Sequence, residues 1–212
     1  MHKYEMERIF VIGYMGTPRR QYAEMLCQKL NQEILEKNQV PVELPLFQHL
    51  DMDSEIERLD GRTILRLCMT MGEHEYRNRE YELLSKLSDP AFDMGIAKEE
   101  EYPRSLVISC GDGILLDEMC MEILKKYAEK SNYTVDLNCE DVSVLSGFDK
   151  NNIEDSGVIL LSATLEDMWQ AAKLDKALPY AFMHTGTEEA RKSKFEEIYT
   201  ARKHLYDSLG KL

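Results

Sequence analysis

Residues 8–20 read RIFVIGYMGTPRR, an apolar run followed by two glycines and a basic pair. Ile9–Ile12 is apolar at every position and stops at Gly13, which predicts a short strand buried on both faces. From Arg20 the apolar residues recur at the spacing of a helix that ends near Asn38. A buried strand, a glycine turn and a helix are the first unit of an α/β fold.

The same alternation continues through the rest of the chain. Further strands are predicted at Phe47–Leu50, Leu106–Ser109 and Val158–Ser162, and further helices at Ser54–Leu59, Thr63–Met71, Glu73–Leu87, Leu116–Lys130, Leu165–Lys173 and Glu188–Leu209. Two alternating runs, Tyr133–Leu137 and Val142–Leu145, predict an inserted hairpin. Because strands alternate with helices, we expect one α/β domain over residues 1–212, a three-layer parallel sheet flanked by helices. A small helical part is predicted at about residues 51–87.

The charge of the chain limits its partners. It has 26 Lys and Arg against 39 Asp and Glu, a formal net charge of −13. Such a surface repels nucleic acid and anionic membranes, so we expect neither as a partner, and an anionic ligand needs a local basic pocket. The 5 cysteines form no CxxC pair and no zinc spacing, which favours reduced thiols in a cytoplasmic protein. We find no signal peptide and no run near the about 20 apolar residues of a membrane span.

The segment Gly13–Arg20 lies where a phosphate-binding loop would lie, between a strand and a helix. Such loops follow GxxxxGK[ST], but here Pro18, Arg19 and Arg20 replace the second glycine, the lysine and the hydroxyl residue. Pro18 offers no N–H to a phosphate, and Arg20 places a positive charge where a hydroxyl would bind Mg²⁺. By the pattern alone, an ordinary strand–turn–helix is the simpler interpretation. The residues that would hold a simple anion such as phosphate or sulfate are Gly13, Gly16, Thr17, Arg19 and Arg20.

Four later stretches complete an ordered series with the first. They are DMDSEIERLDGRTI (51–64), GEHEYRNRE (72–80), VISCGDG (107–113) and IYTARKHLYDSL (198–209). Together with residues 8–16 they resemble the motif series of the shikimate kinases. This resemblance implies a P-loop kinase fold, and an activity in which ATP, with Mg²⁺, phosphorylates the 3-hydroxyl of shikimate.

The resemblance also implies roles for individual residues. Asp53 matches the aspartate that binds the substrate hydroxyls and, with Arg19 in the loop, would carry the catalytic role. Arg77 and Arg202 match the two arginines that clamp the substrate carboxylate, a task suited to guanidinium groups. Asp51 matches the carboxylate that helps to position Mg²⁺.

Where the family has three glycines facing the substrate, this chain has Gly111-Asp112-Gly113. A carboxylate therefore lies at or near the substrate. Two interpretations of Asp112 stay open. It is either a plain turn residue between glycines, or it forms a salt bridge with Arg77 or Arg202 and takes the place of the substrate carboxylate.

Ordinary structural roles compete with the functional ones. Asp51 and Asp53 stand where aspartates stabilise a helix start. Arg77 has Glu73 and Glu80 at helical spacing, as ion-pair partners on an exposed helix face.

The nucleotide side departs most from the family pattern. Leu178 stands where the family has its lid arginine, and Ala171 where an arginine packs on adenine. The strand and helix that wall the adenine pocket in the family are expected to be missing, or replaced by the hairpin at 131–149. We therefore expect an impaired or inactive shikimate kinase-like protein that still binds an anionic ligand, with ATP binding doubtful. The alternative is a regulatory or scaffolding pseudokinase that binds a protein partner.

Overall fold

The computed structural model describes residues 7–38, 47–88, 105–137 and 156–210. The strands are β1 (Arg8–Gly13), β2 (Phe47–Asp51), β3 (Ser105–Ser109), β4 (Asn132–Asp136) and β5 (Gly157–Ser162). The helices are α1 (Arg19–Asn38), α2 (Met52–Asp60), α3 (Ile64–Met71), α4 (Glu73–Leu87), α5 (Glu118–Ala128), α6 (Leu165–Ala172) and α7 (Glu188–Leu209). Short 3-10 helices lie at Ile114–Leu116 and Ala181–His184.

The five strands form a parallel sheet in the order β2-β3-β1-β5-β4. β1 lies at its centre, and its side chains alternate between two apolar clusters, one on each face of the sheet. Ile9 and Val11 pack with α1 residues such as Leu26, whereas Phe10 and Ile12 belong to the larger cluster on the other face. The predicted α/β class with a helix layer on each side of the sheet is confirmed.

The first run of the predicted hairpin is a strand of the main sheet. The run at 133–137 contributes to β4, which pairs in parallel with β5 and is the outermost strand on that side among the described residues. The second predicted run, Val142–Leu145, lies outside the described residues, so the hairpin stays a prediction. Alternating polarity marks any strand with one covered face, so the pattern alone does not specify the parallel pairing with β5.

The helical part after β2 consists of α2, α3 and α4, which span residues 52–87 close to the predicted range. Asp51 caps α2, and Thr63 caps α3, in both cases through a side-chain oxygen that accepts a backbone N–H. In the part of the chain that the structure describes, no helix combines the length and hydrophobicity needed to span a bilayer.

The loop after β1 packs tightly against α6 through Gly16. The φ angle of Gly16 is +87°, and a Cβ atom there would lie 2.0 Å from the carbonyl oxygen of Met168. Gly61, with a φ of +82°, has no atom within 4 Å of such a Cβ. The two glycines therefore share a left-handed φ in different surroundings.

We expect Gly16→Ala to lower the free energy of unfolding by about 3 kcal/mol, since left-handed strain adds to a backbone clash. Gly61→Ala, the matched control, is expected to cost about 1 kcal/mol because it introduces the strain alone. Urea unfolding of both variants checks this. Equal losses would show that Met168 yields to the new methyl group.

Candidate functional site

The loop between β1 and α1 is closed by its own hydrogen bonds. The carbonyl oxygen of Tyr14 accepts the Thr17 N–H at 3.0 Å and the Thr17 hydroxyl at 2.7 Å. Arg19 Nη1 donates to the carbonyl oxygen of Gly13 at 2.7 Å, and the backbone N–H of Arg19 donates to the carbonyl oxygen of Thr17 at 2.9 Å. Arg19 and the N–H of Thr17 are thus engaged inside the loop.

A cavity of about 540 Å³ opens between this loop, the start of α2 and the segment after α6. Its lining includes Arg19, Arg20, Asp51, Asp53, Ala171 and Leu178. The structure thereby brings together the loop, both aspartates and the two positions where the family pattern has arginines. Arg20 is exposed and donates to Ser54 Oγ at 3.3 Å.

Each carboxylate oxygen of Asp51 accepts a hydrogen bond. Its Oδ1 accepts the backbone N–H of Ser54 at 2.9 Å, and its Oδ2 accepts the Ser109 hydroxyl at 2.8 Å. Burial alone would raise its pKa, but these hydrogen bonds and the charge of Arg20 hold the pKa of Asp51 below its ordinary value. Asp51 is therefore ionised at neutral pH, and its predicted capping role is confirmed.

Asp53 lies in the first turn of α2 and accepts the Tyr76 hydroxyl on Oδ1 at 2.6 Å. Burial raises the pKa of Asp53 to about 6, although the Tyr76 hydrogen bond and the charge of Arg19 act in the opposite direction. Gly111 approaches so closely that a Cβ there would lie 3.2 Å from Asp53 Oδ1 and 2.0 Å from Glu80 Oε1. The turn after β3 therefore lies directly against this carboxylate.

Arg77 is 7% exposed and has three partners. Its Nη1 donates to Glu80, and its Nη2 donates to Glu73 Oε1 at 2.9 Å and to the Tyr180 hydroxyl at 3.1 Å. The guanidinium lies against Gly113, where a Cβ would stand 2.3 Å from its Cζ. Both ion pairs predicted from helical spacing are present. The prediction that Arg77 lies on an exposed helix face is wrong, because this side of α4 packs against the Gly113 turn.

Arg202 reaches the same point from α7. Its Nη1 donates to the Tyr180 hydroxyl at 3.3 Å, and its Nη2 lies 3.9 Å from Glu73 Oε1. The guanidinium also lies 5.4 Å from the centre of the Tyr180 ring. Arg77 and Arg202, which belong to separate helices, therefore converge on Tyr180 and Glu73.

Asp112 does not form the salt bridge that was one of its two interpretations. It is 3% exposed, and its Oδ2 has no hydrogen-bond partner among the described residues. The ion pairs of Arg77 go to acids on its own helix, which lie at favourable spacing. Asp112 is instead a buried turn residue whose backbone oxygen accepts the Tyr206 hydroxyl at 2.6 Å.

Sequence reasoning missed Tyr76 and Tyr180 as members of this site. Tyr76 precedes Arg77 in the chain and binds Asp53, and Tyr180 follows the Leu178-Pro179 pair that matches the lid. Their positions beside matched motif residues were the available signal. The sequence around a single tyrosine does not show whether its side chain binds a ligand or only packs in the core.

Comparison with known proteins now decides the family. The family model described as Shikimate kinase matches residues 46–211. This chain belongs to the shikimate kinase family. The shikimate kinase of Persephonella marina is 20% identical over 201 residues, which cover 95% of this chain and 84% of that protein. The bifunctional shikimate kinase/3-dehydroquinate synthase of Thermotoga maritima is 29% identical over 119 residues, 56% of this chain and 18% of that protein.

A solved structure has the same fold as this shikimate kinase family member. The shikimate kinase from Acinetobacter baumannii in complex with shikimate superposes with a TM-score of 0.63 at 20% identity, covering 96% of this chain and 80% of that one. The chain matches only part of the length of several curated relatives. The match covers 18% of the Thermotoga maritima protein, 44% of the Desulforudis audaxviator shikimate kinase and 54% of the Pelotomaculum thermopropionicum shikimate kinase.

Proposed function

We propose that this shikimate kinase-like protein binds a small hydroxy acid of the shikimate type and has lost MgATP-dependent phosphoryl transfer. The observation that carries the proposal is the convergence of Arg77 and Arg202, from separate helices, on one oxygen atom at 3.1 and 3.3 Å. This convergence supports the acid-binding half of the proposal, and the closure of the loop on the nucleotide side by its own hydrogen bonds supports the other half.

The nucleotide side does not fit MgATP. The N–H groups of Thr17 and Arg19 are already bonded, and Pro18 has none. A unit charge about 4 Å from another like charge costs about 4 kcal/mol at an effective dielectric of 20, and Mg²⁺ carries two charges beside Arg20. A bare anion meets no such repulsion, so weak binding of phosphate or sulfate at Arg20 and the first turn of α1 is part of the proposal.

The acid side supports a carboxylate ligand. Arg77 is fixed by Glu80 and Glu73, so its remaining N–H donors have a set direction. Two guanidiniums that point at one position suit a carboxylate, which accepts charge-assisted hydrogen bonds from both. Asp53, with a pKa of about 6, is mostly ionised at neutral pH and accepts hydrogen bonds from substrate hydroxyls. The structural neighbour in complex with shikimate supports the same ligand class.

The scaffolding alternative has less support. It requires Arg19 and Arg20 to turn outward to a protein partner. Arg19 instead donates to Gly13 O inside the loop, and Arg20 alone is exposed. This arrangement favours a small ligand.

Separate calorimetric titrations with shikimate and with MgATP test the proposal. We expect shikimate to bind with a dissociation constant in the micromolar to millimolar range and MgATP to give no saturable heat at millimolar concentration. A coupled assay that detects phosphoryl transfer to shikimate, or micromolar MgATP affinity, would overturn the nucleotide half. Absence of shikimate binding would overturn the acid half.

A further inference from the structure

The segment between α6 and α7 places one side chain between the two acid-site arginines. Tyr180 is 6% exposed, and its phenol oxygen accepts hydrogen bonds from Arg77 Nη2 at 3.1 Å and Arg202 Nη1 at 3.3 Å. A carboxylate oxygen shared by both guanidiniums would need the same position. The phenol and the ligand therefore exclude one another.

The segment that carries Tyr180 is held together by its own contacts. Leu178 and Met183 are buried on either side of it, and His184 Nε2 lies 2.7 Å from the carbonyl oxygen of Leu178. Met183 O accepts Arg191 Nη1 from α7 at 3.0 Å. These contacts join residues 178–184 into one turn, which carries the buried Tyr180 side chain.

The phenol is a weaker partner for the arginines than an acid is. Burial raises the pKa of Tyr180 well above its ordinary value, so the hydroxyl is neutral. A carboxylate adds a full negative charge and can accept two parallel N–H donors from a guanidinium, whereas the neutral phenol offers neither. An acid can therefore displace the phenol, at reduced net affinity.

We propose that Tyr180 is an internal competitor that occupies the carboxylate position and keeps residues 178–184 closed over the acid site. An acid binds only when this turn opens, so ligand binding and opening of the turn are coupled. The identity of the ligand rests on the proposed function, whereas the closure of the turn by Tyr180 does not.

Tyr180→Phe tests the proposal because it removes only the hydroxyl. Tyr199→Phe is the matched control, since the Tyr199 ring packs on Tyr14 at 5.0 Å and belongs to neither arginine contact. Without ligand, we expect hydrogen exchange of residues 178–184 to be about tenfold faster in Tyr180→Phe, the effect of hydrogen bonds to charged groups. Shikimate should bind about tenfold more tightly to the same variant.

A second variant removes one of the arginines instead of the phenol hydroxyl. Arg202→Gln should also speed exchange of the turn, but it should weaken shikimate binding because the clamp itself is lost. Exchange in Tyr180→Phe equal to that in Tyr199→Phe overturns the proposal. Faster exchange in Tyr180→Phe with unchanged shikimate affinity overturns the competition between the Tyr180 hydroxyl and shikimate. Faster exchange with no shikimate binding to any of the proteins supports the closure by Tyr180 and removes shikimate as the ligand.

Discussion

The triple variant Pro18→Gly, Arg19→Lys, Arg20→Ser is expected to bind MgATP at least a hundredfold more tightly than the wild-type chain. The new glycine returns a backbone N–H to the loop, and the new lysine supplies a compact ammonium in place of a planar guanidinium. The new serine removes a like-charge repulsion of about 4 kcal/mol per unit charge at close range, nearly three decades in affinity. Calorimetric titration with MgATP measures the gain.

Arg20→Gln is the control, because it removes the charge without supplying a hydroxyl to the metal. It should recover a smaller part of the affinity, and its stability should match wild type since Arg20 is exposed. Phosphoryl transfer is not expected to return with binding. Unchanged MgATP affinity in the triple variant would locate the limiting defect at Ala171 and Leu178, which line the far side of the same cavity.

The sequence predicted the parts of the fold that local patterns determine. β1 is apolar at consecutive positions because both of its faces are covered, and this pattern is visible without any structure. Asp51 was predicted as a helix cap from its neighbours alone. The meeting of Arg77 and Arg202 was implied by family resemblance and not by their spacing, because it depends on tertiary packing: α4 and α7 both contact the short helix Ile114–Leu116.

Other features depend on tertiary packing and left no local signal. The position of β4 follows from pairing with β5, which the alternation at 133–137 does not specify. The hydrogen bonds of Tyr180 require two distant helices to be in place. For Asp112, the sequence left two interpretations open, and the structure selects the turn residue because Arg77 pairs with Glu73 and Glu80.

Asp112→Gly is expected to tighten shikimate binding by about a hundredfold. Asp112 is buried without a partner for Oδ2 among the described residues, and its charge acts on Arg77 and Arg202. A ligand carboxylate held by these arginines brings a second negative charge close to the first. At about 6 Å and an effective dielectric of 20, the two repel by about 3 kcal/mol, which corresponds to a factor of about a hundred.

Asp112→Asn distinguishes the effect of the charge from that of side-chain volume, since it keeps the size of the side chain and removes only the charge. If repulsion limits binding, Asp112→Asn should recover most of the gain seen with Asp112→Gly in shikimate titrations. Combining Asp112→Gly with Arg202→Gln should abolish the gain; Arg77 is left intact because its loss would strand the buried Glu80 charge. A gain for glycine alone would mean that volume limits binding, and no gain for either variant would show that the Asp112 charge has no influence on the acid site.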